Sequence, residues 1–277
     1  MQMLIFLAGI LSQLFATKIE MHRGYPIIEA HIQGKGPYRM LVDTGNTSSS
    51  ILPRIAREIG LTPLHSVVVS SLAGDRTVPV ANSHIRVGSM EADVELMISD
   101  LPGLSHLGRR LGGILGQNFL SRSPYLLDFS ERRMYFEEEA VSRAYSMPAV
   151  LPARPVHGRF AIHVHFDDLS PHRLVLDSGA SHLMIYCRER CPHLSAVHSG
   201  EVAITNSGNR PVRRGALRQA TIGSMQFHDS PAVIVESGSA DGEEADGLLP
   251  ASWFSAIYVD SLRREIRLRP RLGGRAR

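Results

Sequence analysis

Cysteine, aromatic side chains and long apolar runs are all scarce in this chain. Two cysteines among 277 residues could complete a zinc site only with further ligands at metal-binding spacing, and no such partners accompany them. Aromatic residues make up 6% of the chain and interleave with no basic stripe, so the pI of about 9.1 reflects Arg spread over a solvated surface, not a face for nucleic acid. The net charge of +3 is small for this length. No nucleotide, metal or redox motif occurs. The most apolar segment, Met3 to Leu11 extended by Leu14-Phe15-Ala16, is too short for a membrane span and has neither a basic lead nor a small-x-small cleavage site. Residues 1–17 are still the one segment that reads as an export signal or N-terminal anchor; the alternative is a mis-assigned start or a buried terminal strand.

The chain does contain one stretch twice. Met40-Leu41-Val42-Asp43-Thr44-Gly45 returns as Leu174-Val175-Leu176-Asp177-Ser178-Gly179. Each copy is an apolar run, read as a buried strand, that ends on a carboxylate, a small hydroxyl residue and Gly. Composition alone would supply on the order of 0.1 such Asp-(Ser/Thr)-Gly triplets. The same offset of 134 residues pairs Ile28 with Ile162, Pro37 with Pro171 and Arg39 with Arg173. With one residue of drift, Val87-Gly88-Ser89-Met90 aligns with Ile222-Gly223-Ser224-Met225. The original offset then returns for Gly113-Ile114-Leu115-Gly116 against Gly247-Leu248-Leu249-Pro250. A period this long is a duplicated lobe, not a solenoid repeat.

Strand signals dominate each copy. Tyr25 to Ile32, Tyr38 to Val42, Ser66 to Ser71, Thr77 to Val80, Ile85 to Val87, Val94 to Ile98, Tyr125 to Phe129 and Met134 to Phe136 all read as strands. Pro53 to Ile59 reads as a short helix, with Pro at its start and Gly60 as its stop. The expected organisation is a first lobe over 18–147, a Pro-rich linker over 148–158, a second lobe over 159–270 and a basic tail over 271–277. The fold class is all-β, with two similar lobes of six to seven strands related by a pseudo-twofold axis and a cleft between them.

A buried acid is costly unless it is hydrogen-bonded or compensated, so two at matching sites need a chemical reason. Brought together across a lobe interface, Asp43 and Asp177 could not both ionise and would hold one proton between them. One could then act as general base on a water while the other, protonated, hydrogen-bonds a carbonyl. That chemistry needs no cofactor, metal or covalent nucleophile.

Over roughly residues 20–270 the chain resembles aspartic proteases of the retropepsin-like and pepsin-like kind, with both lobes in one polypeptide. The resemblance rests on Asp43-Thr44-Gly45 and Asp177-Ser178-Gly179, each followed by an apolar-apolar-Gly element, which Ile114-Leu115-Gly116 matches and Leu248-Leu249-Pro250 matches except for its last residue. It implies that Asp43 and Asp177 are catalytic, that Thr44 and Ser178 hydrogen-bond across the interface, and that Gly45 and Gly179 offer N–H groups to the carboxylates. It further implies that Thr47 and Ser181 support those carboxylates from outside, and that Ala73-Gly74-Asp75 is a flap over the cleft. The flap lacks the Tyr of pepsin-like enzymes and is in that respect closer to retropepsins. The implied substrate is a peptide or protein and the implied state a monomer, exported or tethered by the N-terminus. Asn46, where the family commonly has Ala, Ser or Thr, and Pro250 leave open a catalytically inactive peptide-binding protein, and a homodimer using only the first lobe's Asp is a further alternative.

Three smaller features complete the reading. Cys187 and Cys191 are four apart in a segment with helical character, where bridge geometry is rarely good, so they are read as two free thiols or a disulfide. His163 and His165 share a strand face with no acid or Cys at ligand spacing and read as solvated positions. Asp128 and Asp260 correspond between lobes and are expected to cap hairpin turns.

Overall fold

Period-two alternation and β-branched residues carry most of the chain into strands, which a computed structural model arranges in three sheets. It describes residues 16–69, 76–108, 110–166, 170–187, 191–205, 208–236 and 245–271. The first lobe is an eight-stranded sheet in the order Glu20–His22, Tyr25–Ile32, Lys35–Val42, Leu111–Leu115, Ser49–Ile51, Met90–Ile98, Arg76–Val87, His65–Val69. The second lobe repeats that order strand for strand: Arg154–Val156, Arg159–Phe166, His172–Asp177, Gly247–Pro250, Leu183–Cys187, Met225–Glu236, Gly208–Ile222, Leu194–Thr205. The all-β, two-lobed expectation therefore holds, with eight strands per lobe instead of six to seven. The three-residue strands Glu20–His22 and Arg154–Val156, which open the two sheets, are too short to show a period.

A third, six-stranded sheet joins the lobes. At its centre Tyr125–Asp128 of the first lobe pairs antiparallel with Phe254–Asp260 of the second, Tyr125 opposite Val259 and Asp128 opposite Ala256. Thr17–Lys18 closes one edge against Arg133–Phe136, and Ala149–Pro152 closes the other against Glu265–Pro270. The stretch read as a linker is thus built from strands, Ala149–Pro152 here and Arg154–Val156 in the second lobe. Its prolines fit because both strands lie at sheet edges, where a missing N–H costs no ladder bond.

The strand leading to each acid is buried on both faces. Met40 and Val42 point into the main core with Phe119 and Tyr125, whereas Leu41 faces a second cluster with Ile114, Leu104 and Leu107. In the second lobe Leu174 and Leu176 join the main core, and Val175 packs with Val156, Ala161 and Ala245. Each central strand also runs parallel to a neighbour: Val42 is opposite Leu115, and Asp177 is opposite Pro250. A strand held on four sides cannot slip, and its last residue is delivered to a fixed point.

The helix over Pro53–Ile59 forms as expected, Gly60 ending it at φ 75°. A helix over Glu137–Ala144, not anticipated, gains from three acids in its first turn and from the Arg143–Glu139 pair one turn apart. Cys187 ends the strand Leu183–Cys187 and forms a disulfide with Cys191, their Cα atoms 5.4 Å apart. The helical expectation fails at the first cysteine, because the strand's parallel pairing with Ala232–Glu236 extends through it. His163 and His165 are exposed on Arg159–Phe166.

Asp128 and Asp260 cap the turns at the sheet between lobes. Asp128 accepts from Ser130 Oγ at 2.5 Å and Glu131 N–H at 2.9 Å, and pairs with Arg269 at 3.0 Å; Asp260 accepts from Leu262 and Arg263 N–H at 3.1 and 2.9 Å. Both are buried, so truncation leaves N–H groups without partners. Asp128→Ala should lower unfolding free energy by about 3 kcal/mol, measured by chemical denaturation, and a loss under about 0.5 kcal/mol would contradict the capping role.

Candidate active site

Asp43 and Asp177 stand where the two central strands run out, and both are buried, at 5% and 7% exposure. The Asp43 N–H donates to Leu115 O at 3.0 Å, completing the strand ladder. The chain must then turn sharply to reach Ser49–Ile51, which lies on the far side of Leu111–Leu115. That turn is the loop Thr44 to Ser48, and its counterpart in the second lobe is Ser178 to His182.

The two loops hold each other by a reciprocal set of hydrogen bonds. Thr44 Oγ1 donates to Leu176 O at 2.7 Å and Ser178 Oγ donates to Val42 O at 2.6 Å. The Ser178 N–H donates to Thr44 Oγ1 at 3.0 Å, and the Thr44 N–H donates to Ser178 Oγ at 3.0 Å. All four are buried, so each hydroxyl is fixed as donor and acceptor at once. Every bond crosses between the lobes.

Glycine is required next by contact. A Cβ on Gly45 would overlap the Asp177 carboxyl group, and one on Gly179 would lie 2.7 Å from the Asp43 carboxyl carbon. Each loop's glycine therefore packs against the other loop's acid. The same residues give an N–H to their own: Gly45 to Asp43 Oδ1 at 3.1 Å and Gly179 to Asp177 Oδ1 at 2.7 Å.

Burial is the largest influence on both carboxyl groups and pushes both upward. Asp43 is held well above the ordinary carboxylate range by burial, then by the charge of Asp177 and by a hydrogen bond to it, against a small opposing pull from Gly45 N–H and Arg159. Asp177 is raised by burial but pulled back by the N–H groups of Gly179 and Ala180, by the hydrogen bond from Asp43 and by Arg159. Both shifts run upward, so the two carboxyl groups hold a proton between them as a pair.

The surroundings are less symmetric than the pair. Behind the first loop, Gln117 N–H donates to Asn46 O at 2.8 Å, Asn118 N–H to Thr47 O at 2.9 Å, and Gln117 Nε2 to Thr44 O at 2.9 Å. Asn118 Oδ1 accepts from Ser49 N–H and Oγ, while Gly116 N–H donates to Ser49 Oγ at 3.0 Å. Pro250 occupies the corresponding place behind the second loop and has no N–H to give. The second carboxylate nevertheless reaches the matching position, through Ser178 and the register of Asp177 against Pro250.

Thr47 and Ser181 sit otherwise than the resemblance implies. Thr47 is exposed and its hydroxyl donates to His157 O at 2.9 Å; Ser181 Oγ meets His182 Nδ1 at 2.8 Å. Asn46 enters through its backbone, its N–H donating to Asp43 O at 3.2 Å. Ala73, Gly74 and Asp75 lie outside the described residues, between the paired strands His65–Val69 and Arg76–Val87. Gln117, Asn118 and Arg159 were not singled out in the sequence. Arg159 could have been, since the repeat places it opposite Tyr25 and so marks a break in the duplication.

The shared proton has a consequence for stability. Because the folded state holds a carboxyl proton to higher pH than the unfolded chain does, the pair's contribution is full below about pH 4 and is lost as pH rises through the raised folded value. Asp43→Asn removes that loss. Its melting temperature should exceed the wild type's at pH 7, with the gap closing toward pH 4; a variant less stable at pH 7 would contradict the buried pair.

Comparison with known sequences agrees with this geometry. A family model described as aspartyl protease matches residues 28–119 and again 162–253, about two-thirds of the chain in two lobes. No curated protein matched the chain. The strand-for-strand repeat, the paired Asp-Thr/Ser-Gly loops and the double match lead to one statement: the chain belongs to the aspartyl protease family, of the retropepsin-like kind with both lobes in one polypeptide.

Proposed function

We propose that the protein is a single-chain aspartic endopeptidase that cleaves peptide bonds in the cleft between its lobes. The observation that carries this reading is the reciprocal seating of Asp43 and Asp177, each against the glycine of the other loop and each in a different lobe of the same chain. Asp177, ionised, takes a proton from a water whose oxygen attacks the scissile carbonyl carbon. Asp43, protonated, hydrogen-bonds and then protonates the carbonyl oxygen, giving a neutral tetrahedral diol. Collapse of the diol returns a proton to Asp43 and delivers one from Asp177 to the leaving nitrogen, so that acid and base are regenerated. Ala73, Gly74 and Asp75, which the resemblance assigns to substrate binding, are proposed to contact the bound peptide. Both acids come from one chain, which favours a monomer over a homodimer that uses the first lobe alone.

Turnover of a peptide library should follow a bell against pH centred on the acid side of neutrality, because the active form holds one shared proton. Asp43→Asn and Asp177→Asn should each reduce it by about 10⁴-fold or more, and the double variant should be no worse than either. An activity plateau reaching pH 9, or a monomeric Asp177→Asn variant with full activity, would defeat the proposal.

We also propose that the protein works outside the cytosol. The Cys187–Cys191 disulfide fits an oxidising compartment, and the apolar N-terminus fits export or tethering. Among the described residues no helix is long and apolar enough to cross a membrane. A reporter active only outside the cytosol should be active when fused after residue 30, and a silent fusion with the full chain recovered from the cytosol would remove this claim.

A further inference from the structure

Arg159 is the one Lys or Arg that the described residues bury, at 7% exposure, and a buried guanidinium is costly unless negative charge lies near it. It opens the strand Arg159–Phe166 after a tight turn at His157 and Gly158, both at positive φ, and its Nε donates to Val156 O at 3.5 Å across that turn. The turn belongs to the second lobe but docks on the first lobe's catalytic loop. His157 O accepts the Thr47 hydroxyl at 2.9 Å, and a Cβ on Gly158 would lie 3.1 Å from Thr47 Cγ2.

The corresponding turn of the first lobe is built differently. Arg23 and Gly24 repeat the positive φ pair, yet a Cβ on Gly24 would meet open space, and the residue that follows is Tyr25, in tilted contact with His106 at 5.5 Å between ring centroids. Among the described residues, the duplication therefore buries a cation at this turn in the second lobe and not in the first. Arg159 acts on both Asp43 and Asp177 and favours the charged form of each. The strands behind the pair, Leu111–Leu115 and Gly247–Pro250, contain no titratable side chain. Among the described residues, the groups that shift the acids' protonation are each other, the N–H groups of Gly45, Gly179 and Ala180, and this guanidinium.

We propose that Arg159 is a positioning residue of the reaction: seated by its turn against the first catalytic loop, it offsets the single negative charge of the acid pair and keeps that pair singly ionised into more acidic solution. The inference rests on the proteolytic reading for its meaning, though not for its test. A fixed positive charge stabilises the monoanion against the doubly protonated pair, so it lowers the pH at which the base is lost. It also stabilises the dianion, so the alkaline edge moves the same way. Arg159 therefore shifts the whole working range downward without touching substrate.

The test is a carbon-13 NMR titration of the Asp43 and Asp177 carboxyl groups in wild type, Arg159→Gln and Arg159→Lys, run beside the pH profile of kcat/KM. Arg159→Gln should raise the first titration of the pair, and the acid limb of the profile with it, by about one pH unit, and Arg159→Lys should restore most of the shift. Superimposable titrations of wild type and Arg159→Gln, with activity lower by the same factor at every pH, would make Arg159 merely structural and overturn the proposal. Should Arg159→Gln not fold, Thr47→Val releases the turn while keeping the cation, and an unshifted titration there would overturn it too. A wild type that cuts nothing would sink the proteolytic reading, whereas the carboxyl titration would still decide the place of Arg159.

Discussion

Two carboxyl groups buried side by side cannot both be charged, and the rest of this molecule is arranged around that constraint. The cost of burying them is large, and it is met from several directions at once: a shared proton, an N–H from each loop's own glycine, and a guanidinium on one flank. None of these partners works unless the two loops are held to within a fraction of an ångström. The four interlobe bonds of Thr44 and Ser178 supply that hold, and they leave no room for a side chain at either glycine.

The larger architecture follows from the same need. A loop can be placed so closely only if the strand before it is immobile, which accounts for central strands buried on both faces and paired on both edges. The two lobes must also keep a constant distance, and the six-stranded sheet that joins them provides this through Tyr125–Asp128 against Phe254–Asp260. Its turns are locked by Asp128 and Asp260, which repeat between lobes as Asp43 and Asp177 do. Symmetry is then broken where chemistry profits from it. The first loop is backed by Gly116, Gln117 and Asn118, the second by a proline, and Arg159, the one cation buried among the described residues, belongs to the second lobe.

Much of this was legible in the chain itself. Asp-Thr/Ser-Gly after an apolar run, found twice with matching flanks, is local enough to expose the duplication, the two acids and the glycines beside them. Pro53 and Gly60 marked a helix by the same local logic. What escaped was set by distant partners. Thr47 bonds a carbonyl 110 residues away, so its spacing from Asp43 says nothing about its role. The prolines at 152 and 155 look like a linker until the strands containing them are seen at sheet edges. Cys187 and Cys191 have helical spacing, and only the pairing of Leu183–Cys187 with Ala232–Glu236 makes the first of them a strand residue. Arg159 breaks the repeat opposite Tyr25, but its burial shows only once its turn lies on the other lobe.

The central claim is that one chain, with an acid from each lobe, builds one site. Titration of the purified protein with a transition-state-mimicking inhibitor of aspartic proteases, with mass determined in the same solution, tests it most directly. The account predicts one inhibitor bound per chain at the mass of a monomer, with binding strongest on the acid side of neutrality. One inhibitor per two chains, accompanied by a dimeric mass, or no binding at any pH, would contradict it.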